Sequence, residues 1–67
     1  MQYLIDGDGN VLHDGDRVYT NDCFDNKRVY GTLKEPEEMA KYPDTWTVKY
    51  DDGEECLVLR PAELFKA

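Results

Sequence analysis

One reversal in the chain constrains its fold more than any other feature. Two runs of β-branched, aromatic and aliphatic residues, 46–50 and 56–59, flank the dipeptide Asp52-Gly53. Glycine accepts the positive φ of a tight primed turn, so the arrangement predicts a β-hairpin. Because side chains alternate along a strand, the first run places three large side chains on one face: Trp46, Val48 and Tyr50. The second run is apolar on both faces, which is typical of a strand covered on both sides.

The rest of the chain reads as short strands separated by turns rich in Asp, Asn and Gly. Four further strands are predicted over residues 3–5, 11–13, 17–20 and 29–33. The segment 35–42 has a proline followed by acidic residues, which predicts one helical turn or an irregular loop before Pro43. Pro61 suits the first position of a terminal 3₁₀ or α turn, which would place Leu64 and Phe65 over the open end of a barrel.

This pattern predicts an all-β fold in a single domain. A chain of 67 residues buries only about 60% of its unfolded surface, which leaves room for one small core. Short strands and tight turns predict a strongly bent antiparallel barrel of about five strands, with residues 1–14 as an added N-terminal hairpin. An open meander with a short helix packed on it is the alternative.

The termini and the cysteines bear on location. No apolar run approaches the roughly 20 residues of a membrane span, and the first residues carry neither a basic region nor an apolar signal core. We therefore expect a cytoplasmic protein without membrane contact. Cys23 and Cys56 are then expected to be buried or half-buried thiols instead of a disulfide.

Metal binding and catalysis are not expected. His13 and two isolated cysteines lack the spacing of a zinc site. The run 6–10 resembles a calcium loop only superficially, because Val11 and Arg17 occupy the positions that need Gly and Glu, and a solvated turn is expected instead. No nucleophile pattern accompanies His13, and so small a barrel has little room for a deep dry pocket. We predict no enzyme activity, no metal and no cofactor.

The charge balance bears on partners. Fifteen acidic residues stand against eight basic ones, for a net charge of −7. Such a surface repels phosphates, so nucleic-acid binding through the small positive patch of Lys27, Arg28 and Lys34 is not expected. A surface that only maintains solubility is one interpretation. The other is a surface that attracts a basic partner, because complementary potentials steer encounter.

Four segments within residues 15–65 form a recognisable series, in chain order: Gly15-Asp16-Arg17-Val18-Tyr19, Tyr30-Gly31-Thr32-Leu33, Trp46-Thr47-Val48-Lys49-Tyr50-Asp51-Asp52-Gly53-Glu54 and Leu59-Arg60-Pro61-Ala62-Glu63-Leu64. Together they resemble the SH3-like barrels of the Tudor type. The resemblance implies a small SH3-like barrel, in agreement with the strand pattern.

Tudor domains bind methylated lysine or arginine in an aromatic cage through cation–π attraction. By this resemblance Tyr50 matches a cage position and Tyr30 lies at or beside another. Asp22 falls near the position of the early-loop aromatic residue, and Phe24 follows two residues later. Acidic residues 51–55 replace the aromatic residue that follows the turn.

Our main hypothesis is a non-catalytic interaction module that binds a basic protein or peptide. Aromatic residues ringed by acids suit a partner that carries Lys or Arg. The predicted partner-binding residues line a groove between the first loop and the central hairpin: Asp22, Phe24, Asp25, Tyr30, Tyr50, Asp51, Asp52, Glu54 and Glu55.

The alternative hypothesis is a phage-type mimic of nucleic acid. Rows of carboxylates at 6–16 and 51–55 would imitate phosphates and occupy the basic groove of a host nuclease or other DNA-binding protein. We expect a monomer or a weak homodimer, because the edges of an incompletely closed barrel can pair with a second copy.

Overall fold

The computed structural model describes residues 2–22, 26–37 and 44–67. Within them the regular structure consists of strands and one 3₁₀ turn, with no α-helix, so the predicted all-β class is confirmed. The elements are, in chain order, β1 (Leu4–Ile5), β2 (Val11–Leu12), β3 (Arg17–Asn21), β4 (Arg28–Lys34), β5 (Thr47–Tyr50), β6 (Glu55–Leu57), the 3₁₀ turn Pro61–Glu63 and β7 (Phe65–Lys66).

The strands form two antiparallel sheets. β1 and β2 pair as a small hairpin, and the other five form one sheet in the order β6-β5-β4-β3-β7. β7 lies beside β3 at one end of the sheet, so the 3₁₀ turn carries the chain back across the sheet. The described residues show no pairing of β6 with β7. The sheet is therefore open, and the barrel closure predicted from the sequence is not observed.

The predicted hairpin forms, but its turn is not the tight primed turn that was expected: residues 51–53 make a three-residue loop in which only Gly53 has a positive φ. Gly53 has φ of 96°, a conformation that glycine adopts without strain. Its N–H donates to the Tyr50 carbonyl at 3.0 Å, and the Tyr50 N–H donates to the Glu54 carbonyl at 2.7 Å. Thr47 pairs with Leu57 further from the turn.

The core lies on one face of the larger sheet. Its buried side chains come from β2, β3, β4, β5 and the residues next to β5 and β7: Leu12, Val18, Leu33, Trp46, Val48 and Leu64. Trp46 and Val48 share a face as the alternation predicted, and Tyr50 packs against the same cluster. Gly31 lies at the centre of this face, where a Cβ atom would be 2.6 Å from Val48 Cγ1 and 2.8 Å from the Lys49 carbonyl oxygen.

The N-terminal hairpin covers one edge of the larger sheet. The Gly7 N–H donates to the Leu64 carbonyl at 3.0 Å, and the Asp6 side chain accepts the Lys66 N–H at 2.9 Å. Leu12 from β2 enters the core. The hairpin thus protects the β7 edge, which would otherwise expose unpaired backbone groups.

The opposite edge differs from the prediction. Residues 56–59 were expected to be covered on both faces, yet all of β6 is exposed and Leu59 is 79% exposed. The reason is positional: β6 is a three-residue edge strand, and no second layer among the described residues packs over it. The prediction of a buried or half-buried Cys56 is wrong for the same reason, because its thiol is exposed.

The segments 23–25 and 38–43, which include Cys23 and most of the predicted helical turn over 35–42, lie outside the described residues. None of the helical segments in the described ranges has the length and apolar character needed to cross a membrane.

Candidate interaction surfaces

The strand register separates two aromatic residues that the sequence analysis had grouped. Tyr50 pairs with Gly31 in the β4–β5 ladder, whereas Tyr30 pairs with Tyr19 in the β3–β4 ladder. Because neighbouring residues of a strand point to opposite faces, Tyr30 and Gly31 face opposite sides of the sheet. Tyr50 therefore lies on the core side and Tyr30 on the outer side. The structure does not bring them together around one groove.

Tyr50 lies in a cleft at the open side of the sheet. The cleft has a volume of about 290 Å³ and runs between β6 with the residues after it and the 3₁₀ turn. Its walls are mostly apolar and are formed by Thr20, Val48, Tyr50, Cys56, Leu57, Val58, Leu59, Arg60, Glu63 and Leu64. Thr20 Oγ1 donates to the Glu63 carbonyl at 3.1 Å, which ties the far wall to β3.

The cleft combines apolar contact area with a single phenol. Tyr50 is partly buried, and burial, with smaller effects of Cys56 and Asp52, raises the pKa of its hydroxyl. The phenol therefore remains protonated at neutral pH and can donate or accept a hydrogen bond. Val58 is held in place by the bond from its N–H to the Trp46 carbonyl at 2.9 Å, while Leu59 projects into solvent.

The acidic turn joins two residues of the cleft wall, Tyr50 and Cys56, and all of its residues, 51–55, are exposed. Asp51 is engaged: its two carboxylate oxygens accept hydrogen bonds from both terminal nitrogens of Arg17, each at 2.8 Å. The bonds with Arg17 lower the pKa of Asp51. Asp52 Oδ1 accepts the Glu54 N–H at 2.9 Å and stabilises the turn. Glu54 and Glu55 are exposed carboxylates, and the register places Glu55 opposite Lys49 on the outer side of the sheet.

The remaining predicted site residues belong to the first loop. Asp22 is half-buried at the end of β3, where its N–H donates to the Lys27 carbonyl at 2.8 Å and its carbonyl accepts the Asn26 N–H at 2.9 Å. These bonds close the loop between β3 and β4. Phe24 and Asp25 lie outside the described residues.

Tyr30 belongs to a row of aromatic rings on the outer face. The Tyr19 ring centroid is 5.7 Å from that of Tyr30 and 5.4 Å from that of Phe65, which stacks on it at 26°. The Arg28 guanidinium carbon lies 4.4 Å from the Tyr19 centroid, within the range of a cation–π contact. A side-chain hydrogen bond with Tyr30 raises the pKa of Arg28, and Tyr19 and Tyr30 add smaller electrostatic contributions in the same direction. Phe65 was predicted with Leu64 over the open end of a barrel, but the register places it beside Tyr19 on the outer face, and only Leu64 enters the core. Tyr19 was not among the predicted partner-binding residues.

Asp6 was expected in a solvated turn, but only 5% of it is exposed. Its carboxylate accepts hydrogen bonds from the backbone of Asp8, Asn10 and Lys66 at 2.7–2.9 Å and from the Asn10 side chain at 3.2 Å. The local part of this network was detectable, because an Asp followed by Gly-Asp favours a side-chain turn two residues on. The bond to Lys66 had no sequence signal. No group of three His, Cys, Asp or Glu side chains in the described ranges is arranged to hold a metal ion.

The geometry defines a small antiparallel β domain with an apolar cleft at one open edge and an aromatic row on its outer face. Comparison of the chain with known protein families, with characterised proteins and with solved structures found no match.

Proposed function

We propose that this protein is a non-catalytic interaction module that binds a basic segment of a partner protein in the cleft beside β6. The observation that carries the proposal is the juxtaposition of Tyr50 and the exposed Leu59 in one cleft whose end meets the acidic turn. An apolar cleft with a few polar groups at its rim is the usual form of a peptide-binding site.

The position of β6 favours an extended peptide as the occupant. Within the described residues β6 pairs only with β5, so its outer backbone groups face the open side of the sheet. A peptide strand can add to such an edge through main-chain hydrogen bonds while its alternate side chains enter neighbouring pockets. The apolar walls would receive aliphatic side chains, and the phenol of Tyr50 would meet a polar group.

The charge favours Lys or Arg among the peptide's other side chains. The protein carries a net charge of −7, and Glu54 is exposed in the turn that joins the cleft residues Tyr50 and Cys56. Glu63 lies in the far wall, 3.7 Å from Arg60, which offsets its charge. Long basic side chains can lie along apolar surface and still place their charge next to such carboxylates. Electrostatic complementarity would speed association and exclude acidic peptides.

The proposal keeps an SH3-like barrel of the Tudor type as the fold and the cytoplasm as the location. Five antiparallel strands and a 3₁₀ turn before the last of them support the first of these. Of the aromatic residues that the Tudor resemblance implied, only Tyr50 lines this cleft among the described residues. We therefore propose recognition of basic and apolar side chains instead of a methylated one.

The test is amide chemical-shift mapping by NMR with a synthetic peptide that alternates Lys or Arg with Val or Leu. Its matched control is the same peptide with Glu in place of each basic residue. We expect the basic peptide to shift the amides of residues 55–59, and Leu59→Ser to weaken its binding about tenfold, a typical loss for a contact of this kind. Val11→Ser removes an exposed apolar side chain outside the cleft and should leave binding unchanged.

Three results contradict the proposal: no shift with the basic peptide, equal binding of the acidic peptide, or shifts confined to residues outside the cleft. A basic DNA-binding protein that is captured through 51–55, with no effect of Leu59→Ser, would instead favour the mimic of nucleic acid.

A further inference from the structure

The outer face of the larger sheet is a second surface, chemically unlike the cleft. Register places Phe65, Tyr19 and Tyr30 in one cross-strand row and Arg17, Thr32 and Lys49 in the next. Arg28 and Lys34 lie on the same face of β4, two residues either side of Tyr30 and Thr32. Residues far apart in the chain thus form one patch of rings and cations.

This patch is positive in a protein that is otherwise acidic. Four of the eight basic residues of the chain project from it, namely Arg17, Arg28, Lys34 and Lys49. Two carboxylates accompany them on the same strands or turn: Asp51, bound to Arg17, and Glu55, opposite Lys49. The patch therefore carries a local net charge of +2, against −7 for the whole chain.

One ring of the patch, that of Tyr30, is open to a flat ligand, and the other two support it. Tyr30 is 38% exposed, and Tyr19 and Phe65 are half-buried with their rings stacked on each other. The exposed Arg28 guanidinium covers Tyr19 and offers a second planar group for stacking. Stacked rings held by a rigid sheet lose little entropy when a further ring is added.

We propose that this outer face binds single-stranded nucleic acid. A single strand offers unpaired bases, which stack on aromatic side chains and on arginine, and phosphates, which pair with Lys and Arg. Bases and phosphates are spaced so that one face of a protein can contact both. On this face a row of rings lies next to a row that holds Arg17 and Lys49, so one strand of nucleic acid could contact both. A duplex has its bases already stacked and would gain only the electrostatic part.

This surface and its ligand are independent of the cleft. Tyr30 lies on the opposite side of the sheet from Tyr50, and neither Arg17, Arg28, Lys34 nor Lys49 lines the cleft. The net charge of −7 opposes phosphate approach, so we expect binding to be weak and confined to low salt.

The test is fluorescence anisotropy of a labelled oligothymidylate of about ten nucleotides at low salt, about 20 mM. We expect saturable binding that is tighter than that of a duplex of equal length. Tyr30→Leu keeps an apolar side chain on the strand but removes the ring, and should weaken single-strand binding about tenfold. Thermal melting of each variant shows whether the fold is retained.

A matched pair of double variants isolates the cations. Lys34→Gln with Lys49→Gln should lower the salt dependence, the slope of log K against log salt, by about 1.4, since each phosphate contact to a single strand contributes about 0.7. Arg60→Gln with Lys66→Gln removes the same charge away from the patch, because Arg60 lines the cleft and Lys66 pairs with the core-facing Val18. That control should leave the slope nearly unchanged.

Several results would overturn the inference. The face does not recognise a single strand if binding is undetectable or if both double variants lose it equally. The same conclusion follows if the duplex binds equally well, or if polyglutamate, a polyanion without bases, does. Sedimentation velocity that shows self-association abolished by Tyr30→Leu, with no oligonucleotide binding, would assign the face to a second copy of the chain. Leu59→Ser, which tests the cleft, should have no effect here, so the two proposals fail separately.

Discussion

The carboxylate of Asp6 accepts the backbone N–H of Lys66 at 2.9 Å, across 60 positions of the chain. The same carboxylate shapes the turn between β1 and β2 through Asp8 and Asn10. One buried side chain thus fixes a local turn and attaches the N-terminal hairpin to the last strand. A hydrogen-bonded ionised group in such a position organises the surrounding backbone donors, which would otherwise lack partners.

Asp6→Ala should therefore destabilise the protein. The substitution leaves three backbone N–H groups without their acceptor and loosens the hairpin from β7. We expect the melting temperature, followed by circular dichroism, to fall by about 5–10 °C. Asp8→Ala is the control, because the Asp8 side chain is exposed and takes no part in these bonds; an equal loss from both variants would contradict the role given to Asp6.

Stability should fall in acid through the same carboxyl group. Burial alone would raise the pKa of Asp6, but the bonds from Asn10, Lys66 and Asp8 outweigh it, and the pKa lies below the ordinary value of 3.8. A pKa that is lower in the folded state means that the stabilisation is complete above pH 3.8 and is lost as the pH falls through the folded-state pKa. The hydrogen bonds with Arg17 lower the pKa of Asp51, so this residue also makes the protein less stable in acid.

Denaturant titrations between neutral pH and about pH 2 check this dependence. The wild type should lose stability mainly below 3.8, the ordinary value for Asp. Asp6→Asn, which cannot titrate, should be less stable at neutral pH and lose less on acidification. Parallel curves for wild type and variant would show that Asp6 does not contribute to the acid transition.

Gly31→Ala should be strongly destabilising for steric reasons. Its Cβ atom would overlap Val48 Cγ1 and the Lys49 carbonyl oxygen, and the second of these belongs to the backbone of the paired strand. We expect a loss of about 1–3 kcal/mol, measured by urea unfolding. Gly53→Asn is the comparison: it lies in open space, and Asn tolerates positive φ, so its effect should be smaller.

Asp51→Asn should act in opposite directions on the two proposed surfaces. The carboxylate neutralises Arg17 on the outer face and adds negative charge to the turn beside the cleft. Its removal should tighten oligothymidylate binding and steepen the salt slope by about 0.7, one further phosphate contact. Binding of the basic peptide should weaken. Anisotropy and NMR titrations of the same sample measure both, and a change of the same sign in both would contradict the separation of the surfaces.

Alkylation of Cys56 should block the cleft. The thiol is exposed and lies in the cleft wall next to Tyr50, so a bulky maleimide attached there occupies the proposed peptide path. In a Cys23→Ser background, we expect the labelled protein to lose peptide binding and to keep oligothymidylate binding. Mass spectrometry confirms single labelling, and methylation of the same thiol, which adds little volume, serves as the control. Peptide binding that survives the bulky label would place the site elsewhere.

Local patterns in the sequence were reliable guides to the strands. The hairpin around Asp52-Gly53 and the shared face of Trp46 and Val48 were predicted correctly, because side-chain alternation and the preference of glycine for positive φ depend on neighbouring residues. The type of turn was not. Edge position was not predictable in this way. Residues 56–59 have the composition of a covered strand, yet nothing in that composition states whether another layer lies above them.

The candidate surfaces also combine features that the sequence determines with features that only the tertiary structure decides. The chain itself determined that there would be an excess of acid, a hairpin with an acidic tip and more aromatic residues than so small a core can hide. Only the tertiary structure decided that Tyr30 and Tyr50 face opposite sides, that Arg17 neutralises Asp51, and that scattered cations meet on one face. The physical reason is that turns and alternation are local, whereas strand register joins residues tens of positions apart and a shift of one residue would exchange the two faces.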